Sequence, residues 1–268
     1  MSYIGEDDMK AIILAAGKGT RLKQYTEGLP KGMLEFAGKT LIERQIDAYR
    51  RNGISDISIV TGYASDKINY QGVNYLHNAD YNSTNMVETL WRARIKLTGE
   101  VIVSYSDIIF EDRLLKASIT DQREVGVVVD TAWKEYWQLR HGSDQVDIES
   151  LAVDENGNIT GLGKDVENNK GIDGRYVGLI HFSPAGIEEM VDLYNKSREN
   201  HWNKPWGTSG NLFQKAYMTD LLQEMIKKGV EVAAVLVEHG WLEFDTVEDY
   251  EKIKEAHKNG NLEHICRV

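Results

Sequence analysis

A mostly parallel, doubly wound α/β sheet is the fold this sequence predicts, and two features carry that expectation. Short, nearly continuous apolar runs alternate with segments whose apolar residues recur at helical spacing. The first such run, residues 10–16, ends at Gly17 in a loop with three glycines and one proline (17–31). A strand that is apolar throughout is one buried on both faces, as parallel strands between helices are.

The elements follow in order. After the strand at 10–16 and its loop, residues 40–52 place Ile42, Ile46 and Tyr49 on one helical face, with a stop at Gly53. Residues 57–61 read as a strand and 73–76 as a shorter one. Residues 84–97 put Met86, Leu90, Ala93 and Leu97 at helical spacing, with Ser83 or Thr84 as the N-cap. Strands follow at 101–104, leading to Asp107, and at 125–129. The second half changes character. Residues 151–153 and 159–162 flank an Asn156-Gly157 turn and predict a β-hairpin. A strand spans 175–182, and Pro184 opens a helix. A helix with Leu221, Leu222 and Met225 inward covers 217–229, a strand 232–237, and a last helix follows Asp245-Thr246. The hairpin and nearby helices predict a smaller lobe beside the sheet. No internal repeat or low-complexity segment interrupts the chain.

Composition narrows the function classes. The 268 residues are 41% hydrophobic, enough for a sizeable core, and hold only three prolines. No linker is visible, so one domain is expected over 9–258, with 1–8 as an extension. Cys266 is the single cysteine, which excludes an internal disulfide and speaks against a cysteine metal site. No apolar run reaches the ~18 residues of a membrane span. The acidic N-terminus lacks a signal-peptide core, and a cytoplasmic address follows. A net charge of −11 disfavours a nucleic-acid polymer as partner. The oligomeric state is open, a homodimer included.

Against that acidic background, Lys18, Arg21, Lys23 and Lys31 face one acid, Glu27, within the 17–31 loop. A buried strand delivering Leu14-Ala15-Ala16-Gly17-Lys18-Gly19-Thr20-Arg21-Leu22 suits phosphate. Small residues let backbone N–H groups approach phosphate oxygens, and glycine reaches dihedrals other residues avoid. A P-loop would need glycine at 12 and Ser or Thr at 19, where Ile12 and Gly19 stand. The dinucleotide fingerprint would need a glycine near Leu22. A basic loop after a strand is the plain alternative.

This stretch, followed by Leu29-Pro30-Lys31, resembles the signature of the sugar-phosphate-type nucleotidyltransferase superfamily. Ser106-Asp107-Ile108-Ile109 and Trp241-Leu242-Glu243-Phe244-Asp245-Thr246 fall where that superfamily keeps its two metal aspartates. The resemblance covers roughly 9–255 and implies a Rossmann-like core, with an NTP-binding half at 9–130 and an acceptor-binding half at 131–245. It implies that the loop from Leu14 to Arg21, with Ser106, binds the nucleotide. Arg21 would grip the β- and γ-phosphates, Lys31 would neutralise charge at the α-phosphate, and Asp107 and Asp245 would hold Mg²⁺. Read locally, each aspartate could instead cap the helix after it.

The segment Asn82-Ser83-Thr84-Asn85-Met86 lacks the Pro-Asp-Gly-Leu pattern of sugar-1-phosphate members. It is similar to the branch containing phosphocholine and aminoethylphosphonate cytidylyltransferases, which implies CTP, with Asn85 at the base, and a small phospho- or phosphono-acceptor. Trp133, Tyr136 and Trp137 are candidates for an aromatic cage around a quaternary ammonium, each face contributing ~0.5–2 kcal/mol, or for core packing. Arg140 and Lys164 are candidates for the acceptor's phosphoryl group, or solvated charges. Gly178 would leave room for the acceptor or mark a bulge, and Glu243 lies on the acceptor side by the same resemblance. His77, His181 and His239 show no metal spacing and read as structural. Two other functions compete: a sugar-1-phosphate nucleotidylyltransferase using UTP or dTTP, and a catalytically silent nucleotide-binding subunit.

Overall fold

The apolar runs assemble into one large sheet. The computed structural model describes residues 9–268, so the extension expected at 1–8 lies outside the described residues. In chain order the elements are β1 (Lys10–Ala15), β2 (Glu35–Phe36), β3 (Lys39–Thr40), α1 (Leu41–Arg51), β4 (Asp56–Thr61), β5 (Asn74–His77), α2 (Met86–Arg92), β6 (Val101–Tyr105), β7 (Ile108–Phe110) and α3 (Asp112–Thr120). They continue with β8 (Val125–Asp130), α4 (Trp133–His141), β9 (Glu149–Val153), β10 (Ile159–Asp165), β11 (Arg175–Phe182), α5 (Pro184–His201), α6 (Met218–Lys228), β12 (Val232–Val237), β13 (Trp241–Glu243) and α7 (Val247–Lys258).

Seven strands form the central sheet in the order β12-β8-β11-β6-β1-β4-β5. β1 pairs in parallel with both β4 and β6, β4 with β5, and β8 with β12. β11 alone runs antiparallel, inserted between β6 and β8. Strands as apolar as β8, all six residues buried, sit where both faces are covered. Two apolar clusters lie on the two sides of the sheet. One holds the inward faces of α1 and α3; the other holds those of α5 and α6. The β9–β10 hairpin forms beside the sheet around its Asn-Gly turn. It leans on α6, where Gln223 Oε1 accepts the Leu162 N–H at 3.0 Å.

Several local expectations change. The helix expected over 84–97 ends at Arg92 and gives way to a 3₁₀ turn at Arg94–Lys96. Its N-cap is Asn85, not Ser83 or Thr84; both of those hydroxyls donate to the Asp80 carbonyl instead. The helix at α4 was not foreseen, and neither was the β7–β13 pair. Among the described residues no helix is long and apolar enough to cross a membrane.

Candidate active site

The loop after β1 is shaped around one lysine. Gly19 adopts φ +64°, and a Cβ there would stand 2.7 Å from the Cβ of Lys31. Only glycine accepts both that backbone and that neighbour without strain. Thr26 Oγ1 donates to the Gly19 carbonyl at 2.8 Å and closes the loop. Lys31 opens a short 3₁₀ turn, and Gly32 behind it is packed against Ile42 and Ser106.

Two carboxylates converge on Lys31. β7 and β13 pair antiparallel with Ile108 opposite Glu243, and the Phe244 N–H donates to the Asp107 carbonyl at 3.0 Å. This small ladder brings Asp107 and Asp245 together from positions 138 residues apart in the sequence. Lys31 Nζ lies 2.6 Å from Asp107 Oδ2 and 2.6 Å from Asp245 Oδ1. Arg21 reaches Asp245 Oδ2 from the solvent side, also at 2.6 Å. Burial works against the Lys31 ammonium, yet Asp107, Asp245 and Glu243 hold it protonated well above the ordinary lysine range. Burial pushes the Asp245 carboxyl up, with Lys31 opposing. Asp107 Oδ1 is buried and has no hydrogen-bond partner.

Neither aspartate is a helix cap. Glu111 precedes α3, with β7 between it and Asp107. Thr246 caps α7 in a capping box with Asp249. Neither side chain is committed to a cap; both are turned to Lys31 instead. Among the described residues no group of three or more His, Cys, Asp or Glu is arranged to hold a metal. A two-carboxylate set with one oxygen unsatisfied fits Mg²⁺, which takes one or two carboxylates plus substrate phosphates.

Two cavities meet at this cluster. The smaller, about 280 Å³, is walled by the glycine loop, Asn85, Ser106, Lys31 and Asp107. The larger, about 670 Å³, lies between the hairpin, the start of β11 and the 208–211 loop. Arg21, Met86, Tyr105 and Asp245 line both.

A family model described as "MobA-like NTP transferase domain" matches residues 11–159. The chain belongs to this family of NTP transferases. A CTP:phosphoglutamine cytidylyltransferase from Campylobacter jejuni is 33% identical over 91% of this chain and 98% of its own length. A choline-phosphate cytidylyltransferase from Streptococcus pneumoniae is 28% identical over 94% of this chain and all of its own. Among solved structures, the CTP:phosphocholine cytidylyltransferase of Streptococcus pneumoniae superposes with a TM-score of 0.73 at 24% identity, covering 93% of this chain and 99% of that one. The Thermotoga maritima structure described as an inositol-1-phosphate CTP transferase gives 0.65 at 18%, covering 97% and 98%. These structural likenesses bear on the fold, which is the Rossmann-like nucleotidyltransferase fold; the family and its relatives make this chain a nucleotidyltransferase.

The two cavities gather some of the nominated residues and leave others aside. Leu14, Ala16, Gly17, Gly19, Thr20, Arg21, Lys31, Asn85, Ser106, Asp107 and Asp245 line the smaller cavity. Ala15 faces the core instead, and Lys18 is not among the lining residues and lies over the Tyr63 and Tyr81 rings. Lys164, Gly178 and Glu243 line the larger cavity. The space beside Gly178 (φ +84°) is taken by the Tyr105 ring, 2.8 Å from where a Cβ would stand, so it is not room for the acceptor.

The aromatic cage does not form. Trp133, Tyr136 and Trp137 are buried and pack edge to face against each other and Trp241. Helix α4 turns them inward because its apolar residues belong to the core. Arg140 is buried with them: it lies 2.7 Å from Glu243 Oε2 and 3.1 Å from Asp249 Oδ2, so it braces the wall from behind and does not line the larger cavity. Burial would raise the Glu243 carboxyl, but Arg140, Lys31 and Arg175 pull it down to about 2. Sequence reasoning missed Tyr105, Asp147, Glu149, Arg175 and the Thr208–Ser209 loop, all on the larger cavity. Arg175 had one signal, a lone cation at the head of a strand beside Tyr176 and Gly178.

Proposed function

We propose that the chain is a Mg²⁺-dependent cytidylyltransferase that transfers CMP from CTP to a small phosphorylated or phosphonate acceptor and releases pyrophosphate. The observation that carries this reading is the meeting of the two cavities at Asp245 and Arg21, beside Lys31. The smaller cavity takes the nucleotide and the larger the acceptor, with the α-phosphorus between them. The names of the relatives from Campylobacter jejuni and Streptococcus pneumoniae favour CTP and a phospho-acceptor over a sugar phosphate with UTP or dTTP.

An oxygen of the acceptor's phosphoryl group, already anionic near neutral pH, attacks the α-phosphorus, and the bond to the β-phosphate oxygen breaks. No Ser, Cys or His nucleophile is required. Lys31 donates to an α-phosphate oxygen as negative charge builds there. Arg21 leaves Asp245 for the β- and γ-phosphates, a fork of donors suited to phosphate oxygens. Asp107 and Asp245 would hold Mg²⁺, which when bound neutralises charge on the phosphates.

The test is pyrophosphate release with Mg²⁺, crossing CTP, UTP, ATP, GTP and dTTP with phosphocholine, phosphoethanolamine, aminoethylphosphonate, hydroxyethylphosphonate, phosphorylated glutamine and glucose-1-phosphate. Turnover confined to CTP and a small phospho- or phosphono-acceptor, lost in Asp107→Asn, is expected. Turnover with UTP or dTTP and the sugar phosphate would overturn the reading. Turnover unchanged in Asp107→Asn would remove that residue from metal binding.

A further inference from the structure

The larger cavity contains charges for which the transfer step has no use. Of its carboxylates, Asp245 is occupied by Arg21 and Lys31, and Glu243 by Arg140. Asp147, Lys164 and Asp165 also line the cavity but are exposed, which leaves as partly buried charges Glu149, on β9, and Arg175, at the head of β11. Both are partly buried, both line the cavity, and neither makes an ion pair among the described residues. Arg175 is held in place all the same. Its guanidinium stacks 4.5 Å from the centre of the Trp137 ring. The same indole donates through Nε1 to the carbonyls of Val146 and Asp147 at 3.1 and 3.3 Å. Those bonds fix the bend at Asp147 (φ +51°) that leads into Glu149. One buried tryptophan therefore sets the positions of both the cation and the anion.

Of the three rings that line the cavity, Tyr105 and Tyr176 are engaged with each other and only Tyr217 is exposed. Trp137 is wholly buried, with Arg140 also stacked on it at 4.8 Å. Tyr105 has the Gly178 backbone against its ring, and its hydroxyl is bonded to that of Tyr176 at 3.1 Å. Among its partly buried charges the cavity keeps one unpaired acceptor-only group and one unpaired planar fork of donors. A trimethylammonium has no N–H to give a carboxylate, whereas a primary ammonium has three. A guanidinium matches a carboxylate with two parallel bonds.

We infer that Glu149 and Arg175 select the far end of the acceptor, and that this end is of the α-amino-acid type, its primary ammonium on Glu149 and its carboxylate on Arg175. The inference rests on the phospho-acceptor reading above and narrows it to one class of acceptor tail. Glu149 and Arg175 are specificity-determining residues on this view; neither touches the reacting phosphorus.

Calorimetric titration of the full chain tests this without turnover, with Mg²⁺, in the presence and absence of a non-transferable CTP analogue. The probes are O-phosphoserine, O-phosphohomoserine, phosphoethanolamine and phosphocholine, a series that removes the carboxylate and then the N–H donors. Binding at least tenfold tighter for a phospho-amino acid than for either amine is expected. Arg175→Gln should erase the preference for O-phosphoserine over phosphoethanolamine while leaving phosphoethanolamine within twofold. Glu149→Gln should erase the preference for phosphoethanolamine over phosphocholine. Phosphocholine or phosphoethanolamine binding as tightly as the amino acids, no binding of either amino acid, or equal weakening of every probe by Arg175→Gln would each overturn the inference. Selective binding without pyrophosphate release from any nucleotide would sink the transferase reading and leave the tail inference standing. Pyrophosphate release with phosphocholine preferred would do the reverse.

Discussion

Arg140 separates a structural role from a binding role more sharply than any other residue here. Its side chain is 1% exposed and joins Glu243 on the cavity wall to Asp249 at the start of α7, which is 2% exposed. In Arg140→Met the guanidinium goes, the buried Asp249 loses its guanidinium partner, and the partly exposed Glu243 loses one of three nearby cations. Removing one partner of a buried ion pair costs about 3–5 kcal/mol, because the remaining charge stays desolvated. The Thr246 N–H still donates to Asp249 at 3.0 Å, which places the expected loss at the lower end, about 3 kcal/mol. For a chain of this size that corresponds to a fall in Tm of roughly 6–12 °C. Urea unfolding followed by tryptophan fluorescence reads the loss directly. The pH dependence has a definite sign. Glu243 is held near 2 in the folded chain against an ordinary value of 4.5. Its contribution is complete above that ordinary value and fades as pH falls toward 2. The gap between wild type and Arg140→Met should therefore be widest near neutrality and narrow in acid. A variant that keeps wild-type stability but binds acceptor more weakly would refute this reasoning and turn Arg140 back toward the cavity.

Three further outcomes follow from the same geometry. Lys31→Ala should lower kcat by about 10²–10³, with a smaller change in CTP affinity, because charge at the α-phosphate grows in the transition state; a pure KM effect would contradict the role. Gly19→Ala forces a left-handed alanine, which costs about 1–2 kcal/mol, and displaces Lys31. It should combine a modest fall in Tm with at least a roughly tenfold loss of kcat, since a misplaced catalytic group costs rate steeply; unchanged kcat would show that the Gly19–Lys31 contact is immaterial. Trp133→Ala should cost about 3–5 kcal/mol as a buried large-to-small change, measured by urea unfolding, with acceptor KM unaltered. Full stability with a raised KM would restore an acceptor-facing role.

The parts of the fold legible in the sequence were those set by local periodicity. β1, β6 and β8 announce themselves as nearly continuous apolar runs and β4 as a short strand-like stretch, α1 by the spacing of Ile42, Ile46 and Tyr49, and the β9–β10 hairpin by Asn156-Gly157. The glycine-rich loop after β1 was legible as a loop because Gly19, at φ +64°, obeys a backbone rule that does not depend on distant residues. β7 and β13 were not. They are three residues each, and their pairing is created by contact between segments more than a hundred residues apart. Helix α4 escaped for a different reason. Trp133, Tyr136 and Trp137 carry large rings whose chemistry suits a ligand as well as a core, and sequence alone does not say which way a helix turns. The same holds for Arg140, whose burial is decided by Glu243 and Asp249 arriving from the other end of the chain.

The cations on this site form a graded series from core to solvent. Arg140 is 1% exposed, Lys31 13% and Arg21 69%, and each one is bonded to an acid of the 243–249 segment. Desolvation makes the innermost pair the most costly to break and the outermost nearly free of structural consequence. The energetic role of each charge should therefore change along the series. Replacing Arg140 should cost stability, whereas replacing Arg21 should leave the fold intact and, on the role proposed for it, act on phosphate binding alone. Lys31 lies between, fixed by two carboxylates yet open to the smaller cavity, and its loss should be felt in both. A charge anchored from behind but open in front is preorganised: it needs little reorganisation when a phosphate arrives, and electrostatic catalysis depends on that. Arg21 can exchange Asp245 for a phosphate because water already screens the pair it gives up. A fixed inner cation and a solvent-screened outer one thus follow from burial.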